Sequence, residues 1–310
     1  MPTVVVIANP DAGRGHGAEA QRAAVRQLRL LGIDPVVSVA ASADEARELT
    51  SAAIAQRPDA LVLVGGDGTL LGVLDELRDS NIPLALIPAG TGNDLARALN
   101  IPFGSTDAAA RAADLVIEGV PQLLDIGEAE TAERTARFLT IAALGFDAKV
   151  AERTNRLRWP NGRLRYYLAL VIELLRLRPM RFTLRIDGEP AIDAPGTLIA
   201  VGNTRSYGGG MPICVEADPR DGLLDVVRVA PIGRLRLLRL FPRLLKGTHL
   251  SLPQVTSQRA SEVEVSAPDL VVYTDGERVG TGTVRIRTLP GALRILLPRT
   301  SAERPERDPR

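Results

Sequence analysis

The sequence predicts an α/β N-terminal three-layer domain with a parallel sheet, followed by a β-rich antiparallel sandwich domain with helical inserts. Three observations predict it. Over residues 1–125 short apolar runs alternate with helix-period patterns, as in a parallel sheet covered on both faces. Three of those runs end in glycine-rich segments. After Asp125 the texture changes to many strand-like pieces joined by turns.

In order, VVVIAN (Val4–Asn9) is a strand ending in NPDAGRGHG, and a helix is expected from Ala18 to Leu31, stopped by Gly32. Val36–Ala40 is the next strand. Ser42-Ala-Asp-Glu45 is a capping box that opens a helix towards Gln56. LVLV leads into GGDGT, after which TLLGVLDELRD reads as one helix. LALI (Leu84–Ile87) leads into PAGTGNDLARAL, and Thr106–Glu118 is a further helix. In the second half FLTIAAL, MRFTLRI, TLIAVGN, LLDVVRV, SEVEVSA, LVVYTDG and TVRIRTL read as strands. Helical inserts are expected at Arg163–Arg178 and Arg234–Lys246, the latter kinked or shortened by Pro242. The expected domains are 1–125 and 126–289, with 290–300 (around LRILLP) returning to the first. The charged tail, 301–310, reads as disordered.

Composition narrows the function. With 45% hydrophobic and 24% charged residues over 310 positions, the chain has enough apolar material for a sizeable core. A net charge of +1 gives no reason to expect nucleic acid. One cysteine, Cys214, excludes an internal disulfide, and two histidines, His16 and His249, speak against a zinc site. The N-terminus lacks a basic leader, and the longest apolar run, Tyr166–Ile172, is stopped by Glu173. A cytoplasmic location is expected; a homodimer is one assembly the sequence leaves open.

Glycine has no Cβ, so N–H groups of a glycine-rich turn can reach phosphate oxygens, aided by the positive end of a following helix. Gly65, Gly66 and Gly68 suit this, with Thr69 leading the next helix. Asp67 would repel phosphate, so its use is to hold a Mg²⁺ that the phosphates share. Alone, GGDGT also fits a tight strand–helix turn with a capping aspartate, NPDAG an ordinary turn, and Thr91 and Asn93 helix caps. All three loops falling at the carboxyl ends of parallel strands is what favours a nucleotide.

Asn9–Gly13, Gly65–Thr69, Pro88–Arg97, Asp221–Asp225 and Thr274–Glu277 together resemble the diacylglycerol kinase catalytic-domain family, in its soluble bacterial diacylglycerol kinase and YegS-like form. The segments keep the family's order and cover nearly the whole chain. GGDGT alone is shared with NAD kinases, but its combination with PxGTxND and a late DGE is specific. The resemblance implies an NAD kinase/diacylglycerol kinase-like fold and an ATP- and Mg²⁺-dependent kinase for a lipid hydroxyl. Diacylglycerol is the leading acceptor, ahead of phosphatidylglycerol, a sphingoid base or ceramide, with NAD kinase and a silent regulator less favoured. It implies ATP contacts from Asn9, Pro10, Asp11, Ala12 and Gly13, from Gly66 through Asp67, Gly68, Thr69, Leu70 and Leu71 to Gly72, and from Thr91. It further implies a structural Mg²⁺ on the Asp221 carboxylate with main-chain oxygens of Asp218 and Leu223, and Glu277 as proton acceptor. The chemistry supports Glu277 independently: phosphoryl transfer needs a base at the acceptor hydroxyl, and a carboxylate is what this segment offers. Asp275 ranks behind it. The chain departs from the family at Leu71-Gly72, where Asn-Glu is frequent, and at Ala12, where serine is common.

The lipid kinase that the resemblance implies would have to meet a bilayer, and peripheral association with the inner face of the membrane is the expectation. Arg163–Arg178 is apolar on most of its circumference and reads first as a core helix. Arg236, Arg239, Arg243 and Lys246 form one cationic face opposite Leu235, Leu238 and Leu245, either a solvated face or a surface for anionic lipid. Arg156 and Arg158 beside Trp159 offer an interfacial anchor.

Overall fold

The computed structural model describes residues 2–157, 159–160 and 163–299. Arg158 and the 301–310 tail lie outside the described residues. The chain forms two compact units, one comprising the described residues up to Leu124 and from Gly291 onward, the other Asp125–Pro290.

The first unit contains β1 (Val4–Ala8), α1 (Ala12–Leu30), β2 (Val36–Val39), α2 (Ala43–Ala55), β3 (Ala60–Gly65), α3 (Asp67–Gly72), α4 (Leu74–Leu77), β4 (Leu84–Pro88), α5 (Asp94–Ala98) and α6 (Thr106–Glu118). Its strands run in the order β2-β1-β3-β4, all parallel, and residue 295 of the last strand adds beside Leu84. β1, β3 and β4 are buried along their whole length, which is why they read as unbroken apolar runs. β2 departs from that reading: as the edge strand it leaves Val36, Val37 and Val39 exposed. The box before α2 forms, with Ser42 Oγ accepting from Glu45 N–H at 3.1 Å.

Two helices differ from expectation. α1 starts at Ala12, not Ala18, so most of the first glycine-rich segment is helix. The glycines that argued for a loop are there for closeness: a Cβ on Gly13 would strike the Ala89 carbonyl, and one on Gly17 the Asn9 carbonyl. TLLGVLDELRD is two short helices, because the chain leaves helical geometry at Val73 (φ −118°), a β-branched residue following Gly72.

The second unit carries β5 (Val120–Thr131, entering from the first unit), β6 (Thr135–Phe138), β7 (Ile141–Gly145), α7 (Phe146–Arg156), α8 (Arg163–Leu175), β8 (Met180–Ile186), β9 (Ile192–Gly196), β10 (Leu198–Gly202), β11 (Leu224–Val229), α9 (Arg234–Leu245), β12 (Val255–Ala260), β13 (Glu262–Ser266), β14 (Val271–Thr274), β15 (Glu277–Thr281) and β16 (Val284–Leu297). One antiparallel sheet has the order β12-β11-β10-β7-β14-β15; in a second, the Val284–Arg287 part of β16 pairs β13, β13 pairs β8, and β8 pairs β9. Alternate residues such as Ala142, Leu144, Ile199 and Val201 fill the space between the sheets. Their neighbours Ile141, Leu198 and Ala200 pack with Phe146, Ala169 and Cys214 on the outer face under the helices. Both faces of β7 and β10 are therefore buried. TVRIRTL and LRILLP, expected apart, are one strand, β16.

α9 runs through Pro242 to Leu245 without being cut short. Its inward side chains are Leu237 and Leu244, while Leu235, Leu238 and Leu245 face solvent together with the cations instead of packing opposite them. No helix among the described residues is long and apolar enough to cross a membrane.

Candidate active site

In the first unit the ends of β1, β3 and β4 come together through bare main chain. A Cβ on Gly66 would lie 2.8 Å from the Cα of Gly90, so only glycine at both positions lets the two loops touch. Asn9, at the end of β1, donates from Nδ2 to Thr69 Oγ1 at 3.3 Å and accepts from Asp11 N–H at 3.1 Å. Asn93 sits in left-handed geometry (φ 50°), and its amide is spent on Gly90, accepting from the N–H and donating to the carbonyl, each at 2.9 Å. It closes the loop with its side chain. Thr91 and Gly68 are exposed, whereas Leu70 points into the core and offers only its main chain.

Asp67 lies half-buried beside these loops. Its carboxylate accepts from Asp94 N–H at 3.1 Å and Leu95 N–H at 3.5 Å, holding the start of α5. Burial pushes its carboxyl above the ordinary range, the Asp94 N–H draws it back, and the Asp94 carboxylate adds to the rise. The two carboxylates flank Gly92, where a Cβ would lie 3.1 Å from Asp67 Oδ2 and 3.5 Å from Asp94 Oδ2. Asp94 falls within the PAGTGND motif, whose Asn-Asp pair is the only sequence signal for it.

In the second unit, Asp221 Oδ1 accepts from Leu223 N–H at 3.0 Å, and Arg259 stands 3.8 Å from Asp221 Oδ2. The Asp218 side chain is forked by Arg220, at 2.8 and 3.0 Å, which holds its carboxyl below the ordinary range. Asp225, on β11, is buried, and its carboxyl is pushed up to about 6 by desolvation, eased by Arg259 and raised further by Asp221 and Glu216. Among the described residues no group of three or more His, Cys, Asp or Glu side chains is gathered as a ready metal site.

Asp275 and Glu277 share a turn but not a setting. Asp275 (φ 46°) accepts from the N–H groups of Leu139, Thr140 and Ile141 at 2.7, 3.0 and 3.1 Å, and from the Thr140 hydroxyl. Desolvation pushes its carboxyl up to about 6 against the pull of those donors. Glu277 begins β15 with its side chain 66% exposed, and Arg134 stands 3.7 Å from its carboxylate. Arg134, which no motif marks, also donates to the Arg278 carbonyl.

Residues 3–129 match the model of the diacylglycerol kinase catalytic domain, and residues 140–297 that of the YegS C-terminal NAD kinase beta sandwich-like domain. The chain belongs to the diacylglycerol kinase catalytic-domain family. It is a lipid kinase, a phosphotransferase with a lipid alcohol as acceptor. The diacylglycerol kinase of Mycobacterium tuberculosis is 43% identical over 297 residues, covering 96% of this chain and 95% of that one. A solved diacylglycerol kinase of Bacillus anthracis superposes on the lipid kinase with a TM-score of 0.72 at 22% identity, covering 97% and 98% of the two chains. An NAD kinase from Archaeoglobus fulgidus, solved in complex with ATP, reaches 0.52 at 16% identity over 94% and 92%, a likeness of fold.

Proposed function

We propose that this lipid kinase transfers the γ-phosphoryl group of ATP to the free hydroxyl of a diacylglycerol, giving phosphatidic acid and ADP. One observation carries the nucleotide half: main chain from three neighbouring strand ends converges at Gly66 and Gly90 with the Asp67 carboxylate beside it. Such a cradle accepts phosphate oxygens by N–H donation and excludes bulk. The acceptor is supported by the full-length likeness to an enzyme named diacylglycerol kinase.

Mg²⁺ is usually held by one or two carboxylates plus the phosphates it bridges. Asp67 and Asp94, adjacent at Gly92 with their charges unfavourable to each other, fit that demand. When bound, the ion would neutralise charge on the β- and γ-phosphates. At the second proposed site, Asp221 with the main-chain oxygens of Asp218 and Leu223 would offer oxygen donors only, the ligand type Mg²⁺ takes.

Glu277 is the proposed base. The acceptor O–H bond breaks with its proton passing to the Glu277 carboxylate, the oxygen forms a bond to the γ-phosphorus, and the bond to ADP breaks. The Glu277 side chain is 66% exposed and so within reach of a hydroxyl, with Arg134 3.7 Å from its Oε2. In the second unit an apolar pocket between α8 and α9, lined by Leu170, Leu174, Leu237, Phe241 and Leu244, suits an acyl chain. The outer face of α9 carries exposed Leu235, Leu238 and Leu245 among Arg236, Arg239, Arg243 and Lys246, and Trp159 is 77% exposed. That combination suits peripheral contact with an anionic bilayer; sedimentation with anionic vesicles should weaken as salt rises.

The acceptor assay offers labelled ATP and Mg²⁺ with diacylglycerol, phosphatidylglycerol, ceramide, sphingosine and NAD in turn. Label is expected in phosphatidic acid. Label in another phospholipid moves the acceptor within the lipid kinases; label in NADP removes the lipid assignment altogether.

A further inference from the structure

Between the two acidic turns of the second unit, Asp221-Gly222 and Asp275-Gly276-Glu277, lies a segment that no motif marks, Leu139–Ile141. All of its main-chain polar groups are engaged. The three N–H groups and the Thr140 hydroxyl donate to the Asp275 carboxylate. The Leu139 carbonyl accepts from Asn203 Nδ2 at 3.1 Å, and the Thr140 carbonyl from the N–H groups of Asn203 and Thr204 at 2.8 and 3.2 Å. The Ile141 carbonyl accepts from Asp275 N–H at 3.2 Å.

Asn203 extends this clamp towards the other turn. It is 1% exposed, and Nδ2 also donates to the Asp125 carbonyl at 2.9 Å. Asp125 in turn accepts from Gly222 N–H at 2.7 Å through its carboxylate and donates its own N–H to the Pro219 carbonyl at 2.8 Å. Hydrogen bonds therefore run without a break from Gly222 through Asp125, Asn203 and residues 139–141 to Asp275, two positions before Glu277. Two carbonyls converging on one side-chain nitrogen demand a donor, so asparagine is required where an isosteric aspartate would face two carbonyl oxygens. Glu277 itself makes no bond to this network: its carboxylate stands at the exposed end of β15, and only the turn beneath it is held.

We propose that Asp275 and Asn203 are positioning residues for the Glu277 carboxylate, acting through the clamped segment Leu139–Ile141. The proposal rests on the reading of Glu277 as the base. A buried network can also serve stability alone, and the test has to separate the two.

A double-mutant cycle does so. Asp275→Asn and Asn203→Asp are each made alone and with Glu277→Gln, and kcat and the KM for ATP are measured for every variant. Each single change is expected to lower kcat about 100-fold, the scale of a misplacement of about 1 Å, with KM for ATP unchanged. On the Glu277→Gln background neither should lower the residual rate further, because the group being positioned is gone. Losses that multiply on that background, or single variants with wild-type kcat, overturn the positioning role. Should those variants fail to fold, Thr140→Val, which removes only the hydroxyl bond, carries the same cycle with a smaller expected loss. A Glu277→Gln enzyme of wild-type kcat overturns the base assignment itself, which the cycle reports separately.

Discussion

The two units hold their chemistry in opposite ways. In the first, main chain at the strand ends is bare where the nucleotide is proposed to bind, and side chains such as Asn93 and Asp67 secure those loops. In the second, main chain is consumed: the segment 139–141 spends all its donors on one carboxylate, and Glu277, the proposed base, stands at the exposed end of a strand. A polyphosphate asks for many weak donors at fixed spacing, which backbone supplies. A proton transfer asks for one group in one place, which a rigid support supplies.

The contrast can be broken by mutation. The largest effect is expected from Asp67→Ala, which should abolish turnover together with Mg²⁺-linked ATP uptake in calorimetry. Glu277→Gln should lower kcat by roughly 10²–10⁴ while leaving ATP uptake intact. Turnover lost with binding kept in one case, and both lost in the other, is the pattern that assigns the nucleotide to one unit and the base to the other. Next comes Gly66→Ala, whose new methyl meets backbone and cannot be accommodated by a rotamer change. It should cost about 1–3 kcal/mol in a denaturant melt and weaken ATP binding, with kcat per bound ATP affected least.

A smaller effect is the response of the second unit to pH. Asp147, Asp225 and Asp275, all in the second unit, have carboxyls raised to about 6 by burial. Between the ordinary carboxyl range near 4 and pH 6 the folded state keeps protons that the unfolded chain has released. Stability from these groups therefore falls as pH rises through that window and levels off above it. Hydrogen exchange should show second-unit amides better protected at pH 5 than at pH 7, once corrected for intrinsic rates. Equal protection at both pH values would contradict it.

The same contrast decides what could be read from sequence. The glycine loops of the first unit are local, each within a few residues of the strand it ends, so GGDGT and PAGTGND announced themselves. Asn203, Thr140 and Asp125 are brought together from distant positions, and no spacing rule joins them. Local features failed where composition misled. β9 (IDAPG) contains proline and glycine, and β5 (VPQLLDIGEAET) lacks clean alternation, so neither read as a strand. α7 (FDAKVAERTNR) follows Gly145 (φ 81°) without a capping side chain, which removed its start signal. In α1 glycines that usually end helices open one, because the neighbouring backbone needs the room.

Cys214, the chain's single thiol, is fully buried on the outer face of the β7–β10–β11 sheet, and burial pushes its ionisation well up. A folded molecule should thus ignore alkylating reagents, and each modification event should record one opening of the second unit. Timed labelling followed by mass spectrometry turns that sulfur into a stopwatch for the second unit, where the acyl chain is proposed to bind. Added acceptor should slow it, and nucleotide alone should not.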